Sequence, residues 1–224
     1  MSVDFYKREV ISTEDGSTSL KLRDADEQYH SLHGALNESL HIYINSGLHY
    51  LAEKREIKIF EAGFGTGLNA ILTYMDSTLT TPVFYDSVEA YPLEYEEIKK
   101  LNFSEIIKEF PSDVFEMMHH TESGIPSRIS PNFVFTRFLQ PLETLKLSFS
   151  NYDLVYFDMF NPDLQPELWT EEIFTKLFSA MKTGGVLITY CAKGRVKRAL
   201  KSVGFQVESL PGPAGKREIT RALK

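Results

Sequence analysis

The sequence predicts an α/β fold: a mostly parallel, twisted sheet with helices on both faces and an antiparallel edge strand. Three observations predict it. From residue 57 onward, short apolar runs alternate with segments of helical periodicity, as in a parallel sheet with crossover helices. The first run passes directly into Glu61-Ala-Gly-Phe-Gly-Thr-Gly-Leu-Asn69, a glycine turn between a strand and a helix. The last two runs follow one another with no helix between them, which requires antiparallel pairing.

The elements follow in order. Residues 5–11 and 17–22 flank the turn signal Glu14-Asp-Gly-Ser17 and predict an N-terminal β-hairpin. A helix is expected at about 35–46. Ile57-Lys-Ile-Phe60 reads as a short buried strand, and residues 68–75 carry a helical apolar pattern. Residues 83–88 form a second strand ended by Glu89, and a helix is expected at 93–100. Residues 103–120 read as a polar helix, and 121–131, with Gly124, Pro126 and Pro131, as a loop. The third and fourth strands are expected at 133–138 and 152–157. Trp169, Ile173, Phe174, Leu177 and Met181 recur at helical offsets, and Thr183-Gly-Gly185 ends that helix before a fifth strand at 186–190. A basic helix at about 194–203 precedes closing strands at 205–210 and 218–223, split by Pro211-Gly-Pro-Ala-Gly215. Residues 1–50 are therefore expected to be a hairpin-and-helix extension packed on a core domain at 51–224.

With 224 residues, 42% hydrophobic and 25% charged, the chain has the composition of a globular protein with a sizeable core. It has no apolar run of the roughly 18–20 residues that span a bilayer, no signal-type N-terminus, and a single cysteine, Cys191, read as an inert buried thiol. A cytoplasmic location is expected. A net charge of −7 argues against indiscriminate coating of nucleic acid. The charge is uneven, however: nine Lys/Arg against two Glu make residues 191–224 seven positive and leave the remainder fourteen negative. That segment is either a solvated face or a phosphate-contacting patch, with Lys193, Arg195, Lys197 and Arg198 as the candidate contacts.

The glycine turn differs from two common phosphate cradles. In G-x-G-x-x-G counted from Gly63, the third glycine position is Leu68, and no Gly-Lys-Ser/Thr is present. The pattern E-x-G-x-G-x-G resembles motif I of class I S-adenosylmethionine methyltransferases, which implies an uncharged adenosyl group with its methionine in the turn; the alternative is a tight strand-to-helix turn without a ligand. Ligands of open parallel sheets bind beyond the carboxyl ends of the strands, so Glu89 and Asp158 fall beside this turn. A carboxylate at the address of Glu89 can accept both hydroxyls of a ribose, or can be a plain strand-end acid. Glu61 either holds water or an ammonium group, or caps the following helix. Asp158 ends a hydrophobic strand, where an acid is costly to desolvate without a task or a partner. Its segment is similar to the Asp/Asn-Pro-Pro-aromatic segment of amino-methyltransferases, which makes Asp158 the candidate acceptor for an amine's proton, with a loop-fixing role as the alternative; Asp163 reads as a turn residue. The six histidines lack metal-ligand spacing, and His119-His120 read as surface. Gly215-Lys-Arg-Glu218 either grips a phosphate or pairs internally.

Several segments together resemble the methyltransferase of the MnmC/MnmD type, which acts on the tRNA wobble uridine. They are Tyr29-His-Ser31 with Asn37-Glu-Ser39, Phe64-Gly-Thr-Gly-Leu-Asn69, Ser87-Val-Glu-Ala-Tyr-Pro92, Asp158-Met-Phe-Asn-Pro162 with Pro166-Glu-Leu-Trp-Thr170, Gly184-Gly185 and Lys216-Arg-Glu218. The resemblance implies a Rossmann-like class I fold and S-adenosyl-L-methionine (SAM) as donor. It implies methylation of the 5-aminomethyl group of (2-thio)uridine, giving 5-methylaminomethyl-2-thiouridine, with Asp158 catalytic and Glu89 on the cofactor. Some relatives carry an appended oxidase; this sequence resembles the stand-alone form, so a separate enzyme is expected to supply the amine. Met159 replaces the small residue often found after the aspartate, and residues 121–131 inherit no role. The candidate cofactor residues are Glu61, Gly63, Gly65, Thr66, Gly67, Asn69, Glu89 and Ala90. On the substrate side they are Tyr29, Ser31, Phe160, Asn161, Pro162, Lys193, Lys216 and Arg217, with tRNA expected along the basic C-terminal segment. Two other readings remain open: a small-molecule amine transferase of the polyamine aminopropyltransferase kind, and a non-catalytic RNA-binding module.

Overall fold

The computed structural model describes residues 3–51, 53–76 and 80–224; residues 1 and 2, part of the N-terminus read for a signal, lie outside the described residues. The N-terminal hairpin pairs β1 (Arg8–Ser12) with β2 (Thr18–Leu22). Helix α1 (Ala35–Ser39) runs directly into a π-helical stretch, Leu40–Asn45, where one continuous α-helix was expected. The central part runs β3 (Ile57–Ala62), α2 (Leu68–Met75), β4 (Val83–Val88), α3 (Tyr95–Ile98), α4 (Phe103–Ile106), α5 (Ser112–His120), β5 (Ser127–Ser130) and β6 (Phe133–Phe138). It ends with β7 (Tyr152–Phe157), α6 (Glu171–Ala180), β8 (Met181–Thr189), α7 (Gly194–Val203), β9 (Gln206–Pro211) and β10 (Glu218–Leu223).

Eight strands form one sheet in the order β5-β6-β4-β3-β7-β8-β10-β9. The five from β6 to β8 are parallel, as the alternating pattern predicts. Antiparallel pairing occurs at both edges, not one. Besides β10 between β8 and β9, β5 pairs with β6 inside the stretch expected to be a loop. Four residues, Ser-Arg-Ile-Ser, are too short and polar to announce an edge strand by periodicity. The helix expected over 103–120 is two pieces, because Pro111 interrupts it. Strand β8 begins at Met181, five residues early, and Thr183-Gly-Gly185 lies in a register shift against β7 rather than ending α6. A side chain at Gly185 would stand 2.8 Å from the Lys182 carbonyl, so the irregularity needs glycine there.

Alternate residues of the strands feed two cores, one on each face. Ile57, Ile59, Tyr85, Phe135, Leu154 and Tyr156 share one with α2, α5 and the N-terminal Leu20, Ala35 and Ile42. Phe60, Ala62, Val155, Phe157 and Leu187 share the other with Trp169, α6 and α7. Phe174 is fully buried there, its ring 5.4 Å from that of Phe157. Phe174→Ala should cost about 3–5 kcal/mol, read as a lower urea midpoint at an unchanged slope. Among the described residues no helix is long and apolar enough to cross a membrane.

Candidate active site

The strand order reverses between β3 and β7. Connections from β3 wind toward β6, and those from β7 wind toward β8, leaving a crevice beyond the carboxyl ends of the central pair. Gly63 follows β3 directly and Asp158 follows β7 directly. Their backbones are tied together: the Asp158 N–H donates to the Ala62 carbonyl at 2.9 Å, and the Gly63 N–H donates to the Val88 carbonyl at 3.1 Å. A cavity of about 270 Å³ opens at this point.

The glycine turn forms the cavity's floor. Gly63, Gly65 and Gly67 have φ of 91°, 53° and 77°, a region that side-chain-bearing residues avoid. A Cβ at Gly63 would run into the Asp158 carbonyl, and one at Gly65 would stand 3.2 Å from the Tyr29 ring. Two buried histidines grip the turn: His119 Nε2 lies 3.0 Å from the Thr66 carbonyl and His30 Nε2 lies 3.3 Å from its hydroxyl. Burial pulls His30 down to about 4 and His119 down to about 3, so both are neutral at pH 7 and add no charge. His119 therefore corrects the surface reading of the His119-His120 pair; only His120 is exposed. The signal was available, since His119 lies four residues from Phe115 on the apolar face of α5.

Glu89 sits at the tip of β4 with one oxygen accepting from the Gly65 N–H at 2.8 Å and the other from the Tyr91 N–H at 2.7 Å. Each oxygen can accept a second hydrogen bond, and both Glu89 and Ala90 line the cavity. Glu61 lies elsewhere. It is fully buried behind the turn, accepts from the Ser87 hydroxyl at 2.8 Å, and does not line the cavity; burial raises its carboxyl.

Asp158 lines the cavity, half-buried, with Oδ2 accepting from the Asn69 amide at 2.8 Å. Burial pushes its carboxyl up to about 6 and nearby Glu38 adds to the rise, while the Tyr43 hydroxyl, Asn69 and Lys216 hold it back. The rest of its segment is fastened. The Tyr190 hydroxyl donates to the Met159 carbonyl at 2.9 Å, and the Trp169 indole donates to the Phe160 carbonyl at 2.8 Å. The Asp158 carboxylate is therefore the acceptor this segment presents to the cavity. Tyr29 meets Phe160 edge-on at 5.0 Å, and both rings line the wall with Ser31.

Other candidates are drawn into the scaffold. Asn161 pairs with Glu27 and its Oδ1 accepts from the Asp163 N–H at 2.8 Å, while Pro162 is buried; neither lines the cavity. Asp163 accepts from Lys193 and, at 2.5 Å, from Arg195, which makes it the turn residue expected. Lys197 pairs with Glu218 at 2.8 Å and Arg221 with Glu208 at 2.8 Å. Much of the basic C-terminal segment is thus neutralised internally, leaving Arg198, Lys201 and Arg217 exposed with no ion pair among the described residues. Cys191 is buried and its thiol is raised by burial, as expected of an inert cysteine. The sequence reading missed Glu27, Glu38, Gln165, Tyr190, Glu143 and Glu167, all on the cavity wall. Tyr190 follows the fifth parallel strand, so the strand-end rule that found Asp158 would also have found it.

A family model described as S-adenosyl-L-methionine-dependent methyltransferase matches residues 96–224, more than half of the chain. The chain belongs to that family. Over 210 residues it is 29% identical to the bifunctional tRNA 5-methylaminomethyl-2-thiouridine biosynthesis protein MnmC of Cupriavidus metallidurans, covering 88% of this chain and 31% of that protein. The chain spans about a third of the length of the curated relatives it matches. The crystal structure of MNMC2 from Aquifex aeolicus superposes with a TM-score of 0.78 at 25% identity, covering 96% of this chain and 69% of that one. Spermidine synthase from Thermotoga maritima superposes at 0.61 with 14% identity, a likeness of fold.

The family's donor fits the residues present. This methyltransferase has a floor that only glycine can form and a strand-end carboxylate with further lone pairs, and Asn69 Oδ1 is buried without a partner among the described residues. Gly63, Gly65, Asn69, Glu89 and Ala90 line the cavity and would hold the adenosyl and amino-acid parts of SAM.

Proposed function

We propose that this methyltransferase N-methylates the 5-aminomethyl group of (2-thio)uridine at the tRNA wobble position, giving 5-methylaminomethyl-2-thiouridine. One observation carries the reading: an acceptor carboxylate, Asp158, lines the same cavity as the glycine turn and Glu89, together with Glu27 and Glu38. When bound, SAM supplies a methyl group activated on a sulfonium. The chain's own residues do the rest. Glu89 and the turn fix the donor, while Tyr29 and Phe160 offer aromatic faces to an unstacked base. Asp158 accepts a hydrogen bond from the amine, turns its lone pair toward the methyl, and takes up its proton. At neutral pH a carboxyl at about 6 is ionised and able to accept. The aminomethyl group itself comes from another enzyme activity.

The test is mass spectrometry of wobble nucleosides from aminomethylated tRNA incubated with isotopically labelled SAM. A labelled methylaminomethyl nucleoside supports the reading. Free polyamine precursors reacting as fast as tRNA would instead favour the small-molecule reading, which the acidic wall also suits.

Contacts to tRNA phosphates are assigned to the exposed Arg198, Lys201 and Arg217 rather than to the paired Lys193, Arg195 and Lys197. Neutralising all three should lower the salt dependence of tRNA binding by about 0.7–0.9 log units per charge, measured by filter binding across a salt series. An unchanged slope would move the tRNA to another face.

A further inference from the structure

Lys216 lines the cavity and has no part in the steps above. Lys216 comes from the turn before β10, and its ammonium reaches in to lie 2.5 Å from Glu38 Oε1 and 4.2 Å from the centre of the Tyr190 ring. Glu38 is 7% exposed. Its Oε2 accepts from the Ser31 N–H at 2.7 Å, while among the described residues Oε1 has no aligned hydrogen-bond donor and pairs with the lysine's charge. Glu38, Tyr190 and Lys216 all line the same cavity as Asp158, and Glu38 lies close enough to Asp158 to raise its carboxyl.

We infer that Glu38 and Tyr190 form the seat for the substrate's primary ammonium, and that Lys216 occupies this seat until the substrate displaces it. The inference deepens the reading of this cavity as an amine methylation site and rests on it. A lysine tip and an aminomethyl group are the same chemical species at this end: a primary ammonium on a methylene carbon, protonated at neutral pH. A carboxylate beside an aromatic face is a suitable site for that ion. The lysine also explains how the site tolerates its acids before the amine arrives. A buried carboxylate left unpaired is strongly destabilising, and Lys216 supplies the countercharge until the amine takes over. The exchange is feasible because the lysine side chain is 26% exposed and its stem is flexible. The exchange swaps one ammonium for another, so the charge of the cavity does not change.

The probe is the free nucleoside 5-aminomethyluridine, with 5-hydroxymethyluridine as its uncharged comparator. Both are titrated by calorimetry at pH 7.5 with S-adenosylhomocysteine present. Lys216→Met keeps most of the stem and removes the charge, so it should bind the amine about tenfold more tightly than wild type, with the comparator unchanged. Glu38→Gln retains an acceptor for the Ser31 N–H, so the fold should hold. In the double variant the gain and the preference for amine over hydroxyl should both disappear. The inference is overturned if Lys216→Met binds the amine no better than wild type, or not measurably, or if the double variant keeps the gain. Neither tRNA nor turnover enters this measurement. Failure of wobble methylation with amine selectivity intact would therefore count against the tRNA reading alone, and the converse result against this seat alone.

Discussion

Asp158→Ala is expected to lower the rate of methyl transfer by about 10²–10⁴-fold while leaving donor affinity within about threefold. In the proposed mechanism the carboxylate orients the amine and accepts its proton, whereas the glycine turn and Glu89 hold the donor. The two effects separate in single-turnover kinetics and in titration with S-adenosylhomocysteine. A pH signature accompanies them. Burial holds the Asp158 carboxyl at about 6, so the wild-type rate should fall as pH drops through 6, where the acceptor becomes protonated. That break should be absent from Asp158→Asn. Stability should move the other way. From the ordinary 3.8 to about 6, the folded state keeps a proton that the unfolded chain has lost, so stability declines over that window and the cost is complete above it. Asp158→Asn should therefore raise stability at pH 7, by on the order of 1–3 kcal/mol, in a protein that has lost its activity. A variant that is equally active, or that keeps the break near 6, would remove Asp158 from the chemistry.

Glu89→Gln is expected to weaken donor binding by about 10–100-fold, the worth of hydrogen bonds to a charged acceptor of roughly 1.5–3 kcal/mol. The substitution leaves one acceptor oxygen where the native side chain holds both the Gly65 and Tyr91 N–H groups. It therefore removes the second hydroxyl's partner and loosens the turn together. With saturating donor the chemical step should recover most of its rate, because Asp158 is untouched. An unaltered affinity for S-adenosylhomocysteine would mean that this carboxylate only braces the turn.

The parts of the molecule that were legible in the sequence share a physical cause. Strands buried on both faces are continuous apolar runs, so β3, β4, β6 and β7 were readable, and their carboxyl ends located Gly63, Glu89 and Asp158 without further information. What was hidden depends on partners distant in the chain. Glu38 and Lys216 sit at opposite ends of the sequence, in segments whose local patterns suggest a helix and a turn, and only the fold brings them together. The ion pairs of the basic C-terminal segment were hidden for the same reason. Its neutralising acid Asp163 lies outside the segment, so a local charge count overstated the free cations. Arg137, buried and donating to the carbonyls of His119 and Thr121, looks like an ordinary strand residue until the loop after α5 folds over it.

The central claim is geometric: an amine steered by Asp158 faces the donor across the glycine floor. A crystal structure of the protein with S-adenosylhomocysteine and an anticodon stem-loop carrying 5-aminomethyluridine tests it most directly. The amine nitrogen should lie about 3 Å from an Asp158 oxygen, on the side facing the sulfur, with Lys216 withdrawn from Glu38. An amine bound away from Asp158, or an adenosyl group seated anywhere but on Gly63 to Gly67 and Glu89, would contradict the account.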